Sequence, residues 1–326
     1  MDHLLAGLRA AAEPTRLRLL AVLARTELTV SELTQVLGQS QPRVSRHLKL
    51  LCDAGLLNRF QEGTWVFYRL ADTGAGAELA RSIVARISDN EESLQRDFQR
   101  LESVRRARAD AAAKYFNRIA ADWDRIRSLH VAESEVERAM LGAVADREIR
   151  DLLDIGTGTG RILQVFAPRI ERGLGIDLSR EMLAVARANL EKRNLRHCQV
   201  RQGDVFNLPV PEGSMDVVTI HLVLHFLDDP AAAVREAARA LRPGGRLLIV
   251  DFAPHHFEFL RSEYAHRRLG FADREVRGWC EAAGLEDLQV SHLRPAGRGK
   301  KDKLTVTLWV GTQNKDASAH YRLEVA

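Results

Sequence analysis

Cysteine is scarce in this sequence: Cys52, Cys198 and Cys280 are its only three, odd in number and widely separated. They supply neither a disulfide framework nor a C-x-x-C metal or redox pair, which fits a reducing compartment and makes a cytoplasmic location the expectation. Long apolar runs are also missing. The most apolar stretch, Val217 to Leu227, is interrupted by His221 and His225 and is far shorter than the roughly 20 residues a membrane-crossing helix needs. The first residues, Met1-Asp2-His3-Leu4-Leu5, carry an acid early and lack the basic flank and apolar core of a secretion signal. No ligand spacing compels a metal, and none is assigned.

Compositional extremes are absent as well. With 45% hydrophobic and 28% charged residues the chain is neither disordered nor collagen-like. Its 326 residues exceed what one hydrophobic core usually serves, so two domains are expected. Net charge is only +4, but Arg43, Arg46, Lys49, Arg59 and Arg69 face only Asp53 and Glu62 within residues 40–70. Charge alone does not separate a solvated face from a nucleic-acid surface.

Local pattern separates them. Leu17, Leu20, Val22 and Leu23 recur near helical spacing behind Pro14, which suits a first turn. Thr29-Val30-Ser31-Glu32 is a capping-box signature opening a short helix to Leu37, and Gly38 ends it. Ser40 and Pro42 open a third helix through Val44, Leu48 and Leu51 to Gly55. Two helices joined by a tight glycine turn form a helix-turn-helix. The second presents Ser40, Gln41, Arg43, Ser45, Arg46, His47 and Lys49, hydroxyls, amides and cations suited to phosphates and base edges. Leu56 to Phe60 and Thr64 to Leu70 then read as a hairpin wing that carries Arg59.

Across residues 5–71 this segment resembles the ArsR-type winged-helix repressors, through Pro14-Thr15-Arg16, Val44-Ser45-Arg46-His47-Leu48, Leu51 and Ala54-Gly55-Leu56. The resemblance implies binding of a double-stranded DNA operator as a homodimer. It departs from the metal-sensing members, since Thr29 and Ser31 stand where soft thiolates would be needed. From Asp72 to Asp110 the chain is polar, but Leu79, Ile83, Ile87, Leu94, Phe98, Leu101 and Val104 form a helical stripe, broken near Ser88-Asp89-Asn90. A packing seam is its expected use, and in the family the helix after the wing contributes to the dimer interface. Arg105, Arg106 and Arg108 are read as linker surface.

The second half changes character. Asp151 to Ile155 is a strand entering the turn Gly156-Thr157-Gly158-Thr159-Gly160, where glycine lets backbone approach a ligand closely. Arg161 stands where a dinucleotide fingerprint wants a small residue, which disfavours nicotinamide and flavin. Strands ending in Asp177 and Asp204, a fourth at Asp216 to Ile220 and a fifth after Pro243-Gly244-Gly245 alternate with helices. That order predicts an α/β doubly wound, Rossmann-like sheet behind the α+β winged helix, with ligand at the carboxyl ends of the strands. The domains expected are 1–71, a connecting helix at 72–110, 111–312 and a tail at 313–326.

Over residues 112–312 the series resembles the class I S-adenosylmethionine-dependent methyltransferases, especially the ubiquinone/menaquinone C-methyltransferase branch. The resemblance puts Asp154 and Gly156 near the methionine ammonium, with Gly158 and Gly160 in close backbone approach. Asp177 would hold the ribose, Leu178 and Met182 would flank the adenosine, and Asp204 with Val205 would meet the adenine. Tyr115, Phe116 and Trp123 match an aromatic lid. A sulfonium carries its own leaving group, so placement supplies much of the rate and a base matters only when the acceptor must lose a proton. His221, His225, His255 and His256 are the candidate bases for a small-molecule acceptor, with Tyr264, His266, Arg267 and Arg268 following. Two cysteines in the domain do not suit arsenite as acceptor. The alternative function is a non-catalytic sensor in which S-adenosylmethionine or S-adenosylhomocysteine controls operator binding.

Overall fold

Glu13 begins the first core helix by accepting the backbone N–H of Arg16 at 2.9 Å, and Pro14 follows at the first helical position, where its missing N–H has no intrahelical partner to lose. The computed structural model describes residues 1–62, 65–71, 74–88, 90–127, 132–264, 266–294 and 304–314, side chains at 2, 62, 109, 111–127 and 263 excepted. The N-terminal elements are α1 (Asp2–Ala11), α2 (Pro14–Leu23), β1 (Leu28–Thr29), α3 (Val30–Leu37), α4 (Gln41–Asp53), β2 (Leu57–Glu62), β3 (Trp65–Leu70), α5 (Gly74–Val84) and α6 (Glu92–Arg127). The chain divides into two units, Met1–Ala111 and Ala112–Ala326, so the division falls within α6.

In the first unit the capping box is complete. Thr29 Oγ1 accepts the Glu32 N–H, and Glu32 Oε2 accepts the Thr29 N–H at 2.7 Å. Gly38 closes α3 at φ +64°, a left-handed conformation that glycine adopts without strain. Val44, Leu48 and Leu51 bury one face of α4 against Leu19, Leu20, Leu33 and Val36. β2 and β3 pair antiparallel from Leu57↔Leu70 to Glu62↔Trp65, and the two-residue β1 adds to β3, giving the order β1-β3-β2. The hairpin tip, residues 63 and 64, lies outside the described residues.

The apolar stripe after the wing is a packing seam, as expected, and what it packs on is the core of its own unit. Leu94, Leu101 and Val104 are buried, and Leu79, Ile83 and Phe98 pack on the same core as α2, α3 and α4. The stripe is a seam within the unit, not a free face. Nor are the arginines of α6 all linker surface. Arg108 holds Glu32 through two bonds of 2.6 and 2.7 Å and donates to the Glu27 carbonyl. Arg105 donates to the Arg25 carbonyl, and Arg18 of α2 grips the fully buried Asp97 at 2.6 Å through both oxygens.

The second unit continues with α7 (Glu133–Gly142), β4 (Ile149–Ile155), α8 (Arg161–Phe166), β5 (Ile170–Asp177), α9 (Arg180–Lys192), β6 (Cys198–Gln202), β7 (Met215–His221), α10 (Pro230–Ala240), β8 (Leu241–Phe252), α11 (Phe259–Tyr264), α12 (Asp273–Ala282), β9 (Leu285–Leu293) and β10 (Val306–Gln313). The seven-stranded order is β6-β5-β4-β7-β8-β10-β9. The first five strands run parallel and the last two pair antiparallel. Side chains alternate across the sheet: Leu152, Val217, Leu248 and Val250 join one core with α7, α8 and α9, while Leu153, Val218, Leu247 and Ile249 join the other with α10 and α12. A parallel sheet needs both faces covered in this way. Chain order runs outward from β4 in both directions, so β4 ends at the topological switch point, the place where open parallel sheets generally take their ligands.

At the opposite, amino-terminal edge Asp151 receives Arg172 at 2.6 Å and Arg242 at 2.7 Å, and Asp216 accepts the Arg150 and Asp151 N–H groups. This network registers β4, β5, β7 and β8 away from the switch point.

Candidate functional sites

α4 carries the polar side chains expected of a recognition helix. Ser40, Gln41, Arg43, Arg46 and Lys49 are exposed, Ser45 and His47 are half-buried, and Arg59 is exposed on β2. Arg43 and Arg46 stand on the face opposite Val44, Leu48 and Leu51, because residues three apart share a side of a helix. Lys49 pairs with Asp53 at 2.7 Å, which partly occupies its charge. His47 approaches Glu13 at 3.7 Å, yet burial and the charges of Arg16, Arg43 and Arg46 lower its pKa, so it is neutral at physiological pH and acts as a hydrogen-bonding group. Cys52 is half-buried and its thiol is pushed up to about 11, the state of an inert packing residue.

In the second unit the turn after β4 takes three left-handed glycines, Gly156 at φ +68°, Gly158 at +51° and Gly160 at +74°. A Cβ on Gly156 would stand 2.3 Å from Val223 Cγ2, whereas one on Gly158 would meet only the Gly156 carbonyl oxygen, at 4.0 Å. The turn is therefore packed on one side and open on the other. Gly158 N–H donates to Asp177 Oδ2 and Ser179 N–H to Oδ1, both at 2.8 Å, which ties the ends of β4 and β5 together. Asp154 lies beneath, 1% exposed; its Oδ1 accepts from Thr219 Oγ1 at 2.7 Å, while Oδ2 and Thr157 Oγ1 find no partner among the described residues. Burial pushes the Asp154 carboxyl up to about 6, the Thr219 hydroxyl opposes the rise through its hydrogen bond, and the Asp177 charge adds to it.

After the end of β5, Leu178 is 63% exposed and Met182 half-buried. Asp204 is exposed, its Oδ1 accepting the Phe206 N–H at 3.0 Å, and Val205 is buried. Phe206 is an exposed aromatic beside them.

Residues 13–59 match the bacterial regulatory proteins of the arsR family, and residues 153–249 match the methyltransferase domain family. The chain joins an arsR-type regulatory segment to a methyltransferase domain. Its second part is 35% identical over 124 residues to the uncharacterised methyltransferase YcgJ of Bacillus subtilis, covering 38% of this chain and 49% of that protein. It is 33% identical over 144 residues to the demethylmenaquinone methyltransferase of Thermus thermophilus, covering 43% of this chain and 64% of that one. The chain thus spans about half to just under two thirds of these relatives. The crystal structure of YcgJ superposes with a TM-score of 0.48 at 22% identity, over 56% of this chain and 99% of that one.

In the methyltransferase domain the four expected histidines do not share one environment. His221 ends β7 half-exposed and His256 is exposed. His225, 2% exposed, bonds Asp251 Oδ1 through Nδ1 at 2.8 Å and stacks on His266 at 4.0 Å. His255 is half-buried, its Nδ1 accepting the Phe257 N–H. Burial pushes His255 down to about 4 and His266 down to about 3, so both are neutral. Arg267 is paired with Asp228. Tyr115, Phe116 and Trp123 lie at 111–127, where side chains fall outside the described residues.

Two partners were missed by the sequence reading: Thr219 on Asp154, and Asp251 behind His225. Asp251 had a signal, an acid at the end of the otherwise apolar run Leu247 to Phe252.

Proposed function

We propose that this chain is a homodimeric, cytoplasmic, DNA-binding transcriptional regulator whose methyltransferase domain binds S-adenosylmethionine and passes its methyl group to a small molecule. One observation carries the cofactor reading: a buried carboxylate with an unpartnered oxygen beneath a turn of three left-handed glycines, at the switch point of the sheet. An ammonium group satisfies the free oxygen of Asp154, and the open side of Gly158 admits the ligand's bulk. Asp177 keeps lone pairs beyond its two backbone bonds for ribose hydroxyls. Leu178 and Met182 supply apolar contact to the nucleoside, Asp204 and Val205 the adenine edge and face.

The bound sulfonium brings its own leaving group. The protein's part is to hold the nucleoside in line with the acceptor and keep water out, and a histidine takes a proton where the acceptor has one to lose. The DNA reading rests on the exposed cationic face of α4 in an arsR-type segment. Dimerisation is supported by Leu4, Leu5 and Leu8, which leave an apolar stripe exposed on α1.

Incubation of the full chain with methyl-labelled S-adenosylmethionine and a small-molecule extract tests the enzyme. Labelled product is expected, and bound cofactor without any transfer would reduce the domain to a sensor.

A further inference from the structure

Buried polar atoms almost always find partners, and those that do not call for a reason. In the methyltransferase domain two imidazoles, those of His255 and His266, break the rule together, and His225 stands beside them. His225 donates from Nδ1 to Asp251, whose carboxylate is fully buried and also accepts the Phe252 N–H at 2.8 Å. In the neutral imidazole that bond puts the proton on Nδ1 and leaves Nε2 as a lone pair with no donor among the described residues. His266 stacks against His225 at 4.0 Å, 4% exposed, with Nδ1 unpartnered. Nδ1 of His255 accepts the Phe257 N–H, so its proton sits on Nε2, which is buried and unpartnered too. Because His255 and His266 are neutral, each carries one N–H without an acceptor.

The cluster is placed for the reaction. His225 and Asp251 come from the carboxyl ends of β7 and β8, and the sheet order puts β7 directly beside β4. Strands are about 4.8 Å apart, so the dyad lies roughly 10 Å or less, measured across the sheet, from the strand that ends in the glycine turn. Val223, two residues before His225, is the side chain packed against Gly156. The half-exposed ring of Phe226 lies 4.1 Å from the His225 ring, an aromatic face on the same loop.

We propose that these histidines form the acceptor subsite and that the acceptor is a planar, conjugated hydroxyl compound of the phenol or enol class, methylated on oxygen with His225 as base. The inference rests on the methyltransferase reading given above. The hydroxyl donates to His225 Nε2, and a second oxygen beside it accepts from His255 and His266. As the oxygen forms its bond to the methyl carbon, the carbon–sulfur bond breaks with its electron pair left on sulfur. The hydroxyl proton passes to His225 Nε2, Asp251 stabilises the imidazolium, and the proton leaves to water. A phenolic or enolic proton is within reach of an imidazole base near neutral pH, whereas the pairing offers nothing to an amine already carrying its own nucleophilic lone pair.

The test uses the full chain with catechol as acceptor probe and aniline as nitrogen control. With S-adenosylhomocysteine bound, catechol should shift the imidazole nitrogen resonances of His225, His255 and His266 and leave those of His197 unmoved. With S-adenosylmethionine, methyl should appear on a catechol oxygen and not on aniline. His225→Asn retains an amide for Asp251 but lacks Nε2; it should slow transfer by about 100-fold or more while affinity for S-adenosylhomocysteine stays unchanged. Absence of the shifts or of oxygen methylation while S-adenosylhomocysteine binds, transfer to aniline instead, or undiminished transfer by His225→Asn overturns the proposal. Failure of the unaltered chain to bind S-adenosylhomocysteine overturns the underlying methyltransferase reading instead.

Discussion

Asp154 concentrates the chemistry of the second unit in one side chain. Its carboxyl, pushed up to about 6 by burial, is ionised at pH 7.5 and protonated at pH 5. An ammonium ligand favours the ionised form, so affinity should rise as pH climbs through about 6 and level off above 7. Below 6 it should fall by about tenfold per pH unit, as one linked proton requires. Calorimetry with S-adenosylmethionine from pH 5 to 8 checks this, and Asp154→Asn should bind weakly at every pH. On α4, Arg43→Ala and Arg46→Ala should each weaken operator binding, with a loss of about 1–3 kcal/mol for a side chain that reads a base and a shallower salt slope for one that meets phosphate. Unchanged binding isotherms for both variants would refute the recognition-helix assignment. Much of this was legible in the sequence, because a carboxylate, three glycines and a second carboxylate stand at fixed intervals. The partners were not: Thr219 reaches Asp154 across 65 positions and Asp251 reaches His225 across 26, distances that only sheet pairing closes.

At the scale of elements, α6 is bound to the helix-turn-helix by charge. Glu32 closes the cap of α3 and receives Arg108, and its pKa is lowered by that guanidinium and by the Thr29 N–H against the cost of burial. A lowered folded-state pKa means that the stabilisation is fully present above the usual carboxylate range and is lost as pH falls through the folded value. Arg108→Ala should destabilise the first unit by about 1–3 kcal/mol at pH 7, and the difference from the unaltered chain should shrink toward pH 3. Asp97→Ala strands Arg18 and should cost about 3–5 kcal/mol, read from denaturant unfolding. The helical periodicity of Leu94, Leu101 and Val104 announced an apolar face but not what covers it; the core of the same unit does. The edge strand β9 escaped notice because it is largely exposed and polar, and β1 because two residues form no pattern. The capping box, the glycine stop and the alternating strands of the second unit were legible because each is a local physical requirement.

At the scale of the whole molecule, two kinds of chemistry share one chain: a cationic helix in an arsR-type segment and an anionic, glycine-lined turn in a methyltransferase domain. With a net charge of +4 and a pI near 9.1, nonspecific attraction to DNA should be appreciable, and affinity should drop by at least tenfold between 50 and 200 mM salt, measured by fluorescence anisotropy. Among the described residues no helix is long and apolar enough to cross a membrane. The most direct test of the account is a calorimetric titration of the full chain with S-adenosylmethionine at pH 7.5. One saturable site per chain, abolished by replacing Gly158 with leucine to fill the open side of the turn, is the predicted result; an absence of saturable binding by the unaltered chain would contradict it.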